Sequence, residues 1–477
     1  VSATANYDLY ALFMEASYKI INDKGIVSFI LPHKFLVSDF GKGIRTFFKK
    51  NTAVENLVHF GSEIVFKDAA TYTCIVDLTK THKEKVKFKK VNPHSLFELF
   101  VWDTMSYANL SSDNWDLQSE SVFDVIENLK TQPYTVDDVF DKIFQGIASG
   151  GDKFFTLELL EKKGDIGVFY SEMNRCKVEV ELNILKPIIG GRDVFKYEKP
   201  LIKKYIIFPY IIKDKKTISM RFDEIEDDFP LSAKYFKQNE DFLRNREKGR
   251  FNNEDEWFLF SRKQGISNVE ISKIMTREIS LGCNMTYDQN GEYYHNTKVY
   301  SFVKNEKFDV DEKYYLGILN SKLMWFFLKN TGSEYGGGYY VFKTNYLKPF
   351  PLPEISANSD LMIYNVNQIL SSSKNLQDIS SKFQRTLQRK FEALEKLPKK
   401  LENWYLLTFA DFVKELKKKK IKLSLAEESE WEDYFLQEQQ KAQVLKNEIN
   451  QTDKEIDAMV YELYDLTNEE IAIVENS

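Results

Sequence analysis

The sequence predicts a protein of mixed class, α/β plus α+β, with an opening α/β segment, a mixed α/β middle and a helical C-terminal region. Three observations carry this. Residues 27–31 form an apolar run between Gly25 and Pro32, directly after a segment with helical spacing. Short strand-like runs punctuated by Gly and Pro fill residues 135–355. Beyond Ile355 the chain turns into long polar helices with sparse Gly and Pro.

In the opening segment, Phe13, Ala16, Ile20 and Ile21 fall at helical spacing, so this face is expected to be buried. The run 27–31 then reads as a strand covered on both faces. A short helix is expected over residues 44–48, followed by extended runs at 54–60 and 71–78. No helix of crossover length separates the last two, so they should pair antiparallel. Lysines recur through residues 80–90 in near alternation, as befits either a phosphate-tracking face or a lysine-protected edge strand. Residues 91–134 read as a connector with helical pieces, including 122–129, closed by Pro133.

The middle domain is expected to span residues 135–355. Its opening holds a glycine-rich loop with Gln145 and Lys153, where glycines permit close backbone approach and the side chains supply donors. Later come Leu185 to Ile189 with Gly190, Gly191 and Arg192, a strand from Tyr205 closed by Pro209, and a strand over 298–303. A helix carrying Leu319-Asn320-Ser321 precedes Gly336-Gly337-Gly338, flanked by Tyr335, Tyr339 and Tyr340. Pro349, Pro351 and Pro353 punctuate the exit. In the helical region, 356–477, Trp431, Phe435, Ala442, Leu445, Ile449, Ile456, Met459 and Leu463 recur at threes, fours and sevens, a seam against another helix of the same chain. Thr467 and Glu470 make a capping box for a last short helix.

The net charge of −6 is unevenly distributed: residues 427–477 carry −12, which leaves +6 on residues 1–426. Residues 380–426 alone hold 13 Lys/Arg against 5 Asp/Glu. A basic body with an acidic tail suits a polyanionic partner. No apolar stretch approaches membrane-spanning length and no signal-peptide pattern opens the chain, so a cytoplasmic protein is expected. Cys74, Cys176 and Cys283 lack metal-site spacing and read as small buried hydrophobes, and no metal site is expected.

Taken together, Asn6 to Glu15, Phe29 to Leu36, Val65-Phe66 and Thr71-Tyr72-Thr73 resemble the second half of gamma-class adenine-N6 DNA methyltransferases. The Taq-type enzymes and the type IIG restriction enzymes are the relatives in view, and the resemblance continues through the middle domain. It implies that residues 1–90 are the closing half of a class I (Rossmann-like) methyltransferase sheet and that 135–355 are a target recognition domain. The family's Asn/Asp-Pro-Pro-aromatic tetrapeptide is missing, because the chain contains no Pro-Pro pair, and Asn92-Pro93-His94 does not replace it. The chain therefore reads as a C-terminal part of a longer protein.

The same resemblance assigns roles. Phe66 aligns with the aromatic that stacks on a flipped base, and Phe13 with the one lining the adenine pocket of S-adenosyl-L-methionine. Gln145, Lys153, Arg192, Tyr335, Tyr339 and Tyr340 are the expected DNA-contacting residues, with double-stranded DNA as the partner. Mg2+ is implied only if a nuclease precedes the chain. Two alternatives stand beside this reading: a DNA specificity module docking a separate catalytic subunit, and a phage-defence methyltransferase without a nuclease.

Overall fold

A computed structural model describes residues 8–477 apart from 62, 67, 69–70, 113–114, 116, 215, 264 and 395. Helix α1 (Leu9–Ile20) ends ahead of the turn at Gly25 and leads into strand β1 (Ile26–Pro32). Helix α2 (Lys42–Asn51), β2 (Val54–His59), β3 (Thr73–Thr79), β4 (Lys85–Lys90) and β5 (Asp103–Ser106) follow, then α3 (Glu120–Leu129). The strands form one sheet in the order β1-β3-β2-β4-β5. As expected, β3 runs antiparallel to β2, and also to β1, while β2 and β4 are parallel. β1, β2 and β4 therefore end at the same edge.

Two expectations for this sheet need correction. The buried face of α1 is Ala11, Met14 and Glu15, with Tyr18 partly buried, whereas Phe13 and Ile20 are exposed. Positions 11, 14, 15 and 18 have helical spacing as good as that of the other stripe, and the helix packs through these. Nor is β1 covered on both faces: it is an edge strand, with Ile26 and Ile30 exposed and only Leu31 buried. The lysine-rich β4 is an interior strand that buries Val86 and Phe88. Two of its lysines face carboxylates of the same region, Lys85 with Glu120 at 2.8 Å and Lys89 with Asp103 at 3.2 Å.

The middle domain is closed at its base by β6 (Tyr134–Thr135), which pairs with a strand near the exit. It continues through β7 (Phe140–Gln145), β8 (Thr156–Lys163), β9 (Ile166–Ser171), β10 (Cys176–Glu181), β11 (Leu185–Ile189), β12 (Lys204–Ile207) and the hairpin β13 (Tyr210–Lys213)–β14 (Lys216–Ser219). Helix α4 (Pro230–Gln238) then precedes β15 (Lys273–Arg277), β16 (Ile279–Ser280), β17 (Met285–Asp288), β18 (Tyr294–His295) and β19 (Val299–Lys304). Two sheets result, β10-β9-β8-β12-β11-β18 and β17-β15-β19-β7. Lys273 is buried within them, 2.5 Å from Asp288. The Asp288 carboxylate also accepts the backbone N–H groups of Glu292 and Tyr293, both at 2.9 Å, and this shared hydrogen bonding is what a buried ion pair requires. Cys74 and Cys283 are buried, but Cys176 is exposed at the start of the outer strand β10, contrary to expectation.

Helices α5 (Glu312–Asn320) and α6 (Lys322–Thr331) lead to the hairpin β20 (Glu334–Gly336)–β21 (Tyr339–Val341) and to β22 (Pro351–Leu352), the partner of β6. The Leu319-Asn320-Ser321 signature acquires a structural cause here. The Asn320 amide accepts from the Met285 N–H and donates to its C=O, both at 2.9 Å, so a side chain completes the strand's hydrogen bonding. Ser321 caps α6 through the Met324 N–H.

The C-terminal helices are α7 (Ser359–Lys390), α8 (Phe409–Lys418), α9 (Leu425–Leu463) and α10 (Asn468–Glu475). α7 and α9 pack along each other through the expected seam, burying Trp431, Phe435, Ala442 and Ile456. The near ends of these helices share a core with α5 and α6, while the far ends enclose a second one around Phe383, Trp404 and Phe412. The Thr467–Glu470 capping box forms as expected. Among the described residues, no helix is long and apolar enough to cross a membrane.

Candidate nucleic-acid interface

Because β1, β2 and β4 end at one edge, the residues after them converge there. His33 follows β1, His59 ends β2 and Lys90 ends β4. The imidazole rings of His33 and His59 meet edge to face at 6.4 Å, and Tyr72 lies 5.9 Å from His33. Burial, followed by the nearby Lys90 ammonium, lowers both imidazole pKa values, that of His59 to about 4. Both rings are therefore neutral at pH 7. The loop leaving this edge carries Val65, partly buried against Val58, Phe60 and Val91, and then Phe66, whose ring is 45% exposed. Phe66 is thus not a core residue of the sheet.

Lys90 reaches across to the middle domain, where its ammonium lies 3.0 Å from Glu334, the first residue of β20. The hairpin that follows turns on Gly336, Gly337 and Gly338, all at positive φ, a conformation that disfavours side chains. It presents Tyr335, 65% exposed, and Tyr339, 44% exposed. Tyr340 turns the other way: its ring packs edge to face on Trp325 at 5.3 Å, and burial raises its phenol to about 12. The hairpin thus offers two of its three tyrosines to solvent.

The Arg192 loop adjoins the hairpin through β15 and β16. β16 pairs with β21. Just before it, Arg277 donates from Nε to the Val194 carbonyl and lies over the Phe195 ring at 4.3 Å. One of its guanidinium nitrogens, Nη2, is buried without a hydrogen-bond partner among the described residues. Arg192 itself is exposed on a tight turn in which the Asp193 carboxylate accepts the Gly190 N–H at 2.8 Å. A Cβ on Gly191 would stand 2.9 Å from the Lys298 carbonyl oxygen, so the turn closes only with glycine there. Glu278 gathers Lys298 at 2.8 Å and Lys343 at 3.8 Å beside this turn.

Gln145 and Lys153 are placed differently. The Gln145 amide donates to the Thr297 carbonyl at 2.6 Å and holds β7 to the loop before β19. Next to it, Phe144 stacks on the buried His295, whose Nε2 lies 2.6 Å from Ser301 Oγ and whose pKa burial lowers to about 3. Lys153 is exposed beside a loop fastened by Arg246, which donates to the carbonyls of Ser149, Trp257 and Leu259 at 2.8 Å each. This loop borders a separate groove of about 620 Å³ lined by Arg250, Phe251, Glu256, Arg262 and Lys263. Phe13 stands 63% exposed on α1, near Leu9 and Ile20, one wall rather than an enclosure. Among the described residues no cluster of His, Cys, Asp or Glu is arranged to hold a metal.

The residues that sequence reasoning missed are His33, His59, Lys90, Phe195, Arg277 and Glu334. His33, His59 and Lys90 lay in segments already singled out, as a family stretch, an extended run and a lysine run, but only folding brings the six together. What the edge offers chemically is exposed rings for stacking and cations for phosphates, on either side of one ion pair.

Two stretches of the chain match domains of known type. Residues 186–352 match the TaqI-like C-terminal specificity domain and residues 1–66 the Eco57I restriction-modification methylase. Residues 356–460 match a domain of unknown function. The chain is 23% identical over 410 residues to the type II restriction enzyme and methyltransferase RM.Eco57I of Escherichia coli, covering 81% of this chain and 40% of that protein. It is 22% identical over 371 residues to the type II methyltransferase M.BstVI of Geobacillus stearothermophilus, covering 73% and 61% respectively. The chain thus spans between 40% and 61% of the length of these relatives. In fold it is similar to the type IIL restriction-modification enzyme MmeI, solved in complex with DNA, with a TM-score of 0.50 at 11% identity, over 98% of this chain and 51% of that one.

Proposed function

We propose that this chain, a TaqI-like specificity domain behind an Eco57I-type methylase segment, reads a sequence in double-stranded DNA and takes part in methylating adenine N6 within it. On this reading residues 135–355 recognise the target. Residues 1–90 close a Rossmann-like catalytic domain, and 356–477 are a helical support. The observation that carries the reading is the Lys90–Glu334 contact. It joins the hairpin that exposes Tyr335 and Tyr339 to the edge from which the Phe66 loop leaves, which supports this reading.

A base inside a duplex has to leave the stack before its amino group can react, at a cost of a few kcal/mol. Phe66, exposed and next to a partly buried Val65, is suited to stack on such a base. Arg192, on its glycine-closed turn, is suited to reach a base edge, and Arg277 with Phe195 forms its backing. Gln145 acts here by holding β7 to the loop of Thr297, and Lys153 by facing phosphates from a loop beside the second groove. S-adenosyl-L-methionine would supply the methyl group, with Phe13 as one wall beside its adenine.

The test is methylation-sensitive sequencing of DNA from cells with and without the full-length gene. N6-methyladenine at one recurring sequence, present only with the gene, is expected. Methylation at cytosine, or none, defeats the proposal.

A further inference from the structure

We propose that a basic groove at the far end of α7, in the domain of unknown function, holds the sugar-phosphate backbone of duplex DNA beside the recognised sequence. The inference rests on the DNA-reading assignment above and adds a second contact region to it. The groove, of about 740 Å³, is lined by Lys382, Arg385, Gln388, Arg389 and Glu392. Lys382, Arg385 and Arg389 follow one another by three and four residues, so they form a single exposed stripe on the helix.

Three facts separate this stripe from an ordinary solvated face. Three neighbouring lysines have carboxylate partners, Lys390 with Glu427 at 3.8 Å, Lys400 with Glu415 at 3.7 Å and Lys418 with Glu415 at 2.8 Å. Among the described residues no carboxylate is within ion-pairing distance of Lys382, Arg385 or Arg389. Like charges one turn apart on a helix destabilise it, so the stripe carries a cost that a polyanion would relieve. The backing is also rigid, since Phe383 stacks on Trp404 with ring centroids 3.7 Å apart.

Position selects the polyanion. One turn and a half before the stripe, the Gln377 amide donates to Glu198 at 3.2 Å and to the Lys199 carbonyl at 3.1 Å. Lys196 pairs with Asp453 of α9 at 2.7 Å. Residues 196–199 continue the segment that carries Arg192 and Phe195, so α7 is seated directly against the candidate reading loop. At 1.5 Å per residue, Lys382 and Arg389 lie roughly 8 and 18 Å further along the helix, a distance DNA covers in about two to five base pairs at 3.4 Å each. Guanidinium groups match phosphate oxygens with paired donors.

The experiment measures binding of the whole chain to a random-sequence duplex by fluorescence anisotropy, between about 50 and 200 mM salt. The variant Lys382→Ala/Arg385→Ala/Arg389→Ala should bind about tenfold or more weakly at 0.1 M salt, with the slope of log K against log salt shallower by roughly two to three. Its thermal unfolding temperature should be no lower than that of wild type, because all three side chains are exposed and their mutual repulsion is removed. Lys382→Arg, which keeps the charge, should keep the slope. An unchanged slope in the triple variant, with wild-type DNA binding intact, overturns this inference and leaves the recognition domain's assignment standing. Failure of the wild type to bind DNA at any salt overturns both. A groove that prefers poly-glutamate to DNA of equal charge also overturns it, because the occupant would then be an acidic protein.

Discussion

The Lys90–Glu334 contact joins two regions whose apolar patterns have different fates. On the recognition side, stripes from α5, α6, α7 and α9 close on one another and bury Phe326, Phe327, Phe350 and Val366. On the methylase side α1 and β1 carry comparable stripes, yet Leu9, Phe13, Ile20, Ile26 and Ile30 stand between 49% and 83% exposed. The contrast teaches that an apolar pattern records what a segment is able to bury, and says nothing of whether the chain at hand supplies the partner.

The largest expected effect tests that contrast directly. Phe327→Ala or Phe350→Ala empties a buried site and should cost about 3–5 kcal/mol, whereas Ile26→Ala and Ile30→Ala should stay within about 0.5 kcal/mol. Denaturant unfolding of the four variants measures it. An Ile30→Ala cost equal to that of Phe350→Ala would show that β1 is packed after all.

Acid should then distinguish the two regions by pH window. The folded-state pKa of His59 is lowered to about 4, from an unfolded value near 6.5. Above that unfolded value the group makes no demand on the fold. As the pH falls from about 6.5 to 4, the unfolded chain binds a proton that the folded one refuses, and stability drops by at most roughly 3 kcal/mol. His295, on the recognition side, extends the same loss down to about pH 3. Thermal unfolding at pH 7 and pH 5 should show a smaller decrement in His59→Asn than in wild type, and equal decrements would refute the assignment.

Function supplies two middle-sized tests. In the complete protein Phe66→Ala should lower methylation about ten- to hundredfold, the equivalent of roughly 1–3 kcal/mol of lost stacking, without lowering the unfolding temperature. Wild-type activity would remove Phe66 from the site. Arg192→Ala should relax discrimination at one base pair by roughly 1–3 kcal/mol while leaving the salt dependence of binding unchanged. A uniform loss over all sequences with a shallower salt slope would make Arg192 a phosphate clamp instead.

The smallest effect belongs to the link between the regions. The Lys90 side chain is 55% exposed, and exposed ion pairs contribute little, so Lys90→Met should alter stability by less than about 1 kcal/mol. If the pair nevertheless positions the Tyr335–Tyr339 hairpin, the same variant should lower methylation in the complete protein. A variant with unchanged turnover would reduce the pair to a surface contact.

Features governed by nearest neighbours were legible in the sequence. The antiparallel pairing of β2 with β3 followed from a connection too short to cross over, and the α10 capping box from residues three apart. The glycine turn of the hairpin followed from backbone freedom. The burial of Tyr340 against Trp325, the occupation of Gln145 by Thr297 and the outward face of Phe13 were not legible, because each depends on a partner distant in the chain.

By itself, then, the sequence determined the kinds of element, the turn chemistry and the resemblance that marks Phe66 and Phe13, since these depend on residue type and local spacing. Only the tertiary structure decided which of two equivalent stripes on α1 is buried and which of three tyrosines faces outward. It alone brought Lys90 to Glu334 across 244 residues and Arg277 over Phe195. The reason is physical: local spacing limits the faces a segment offers, but the choice among them is made by whichever surface meets it in the folded chain.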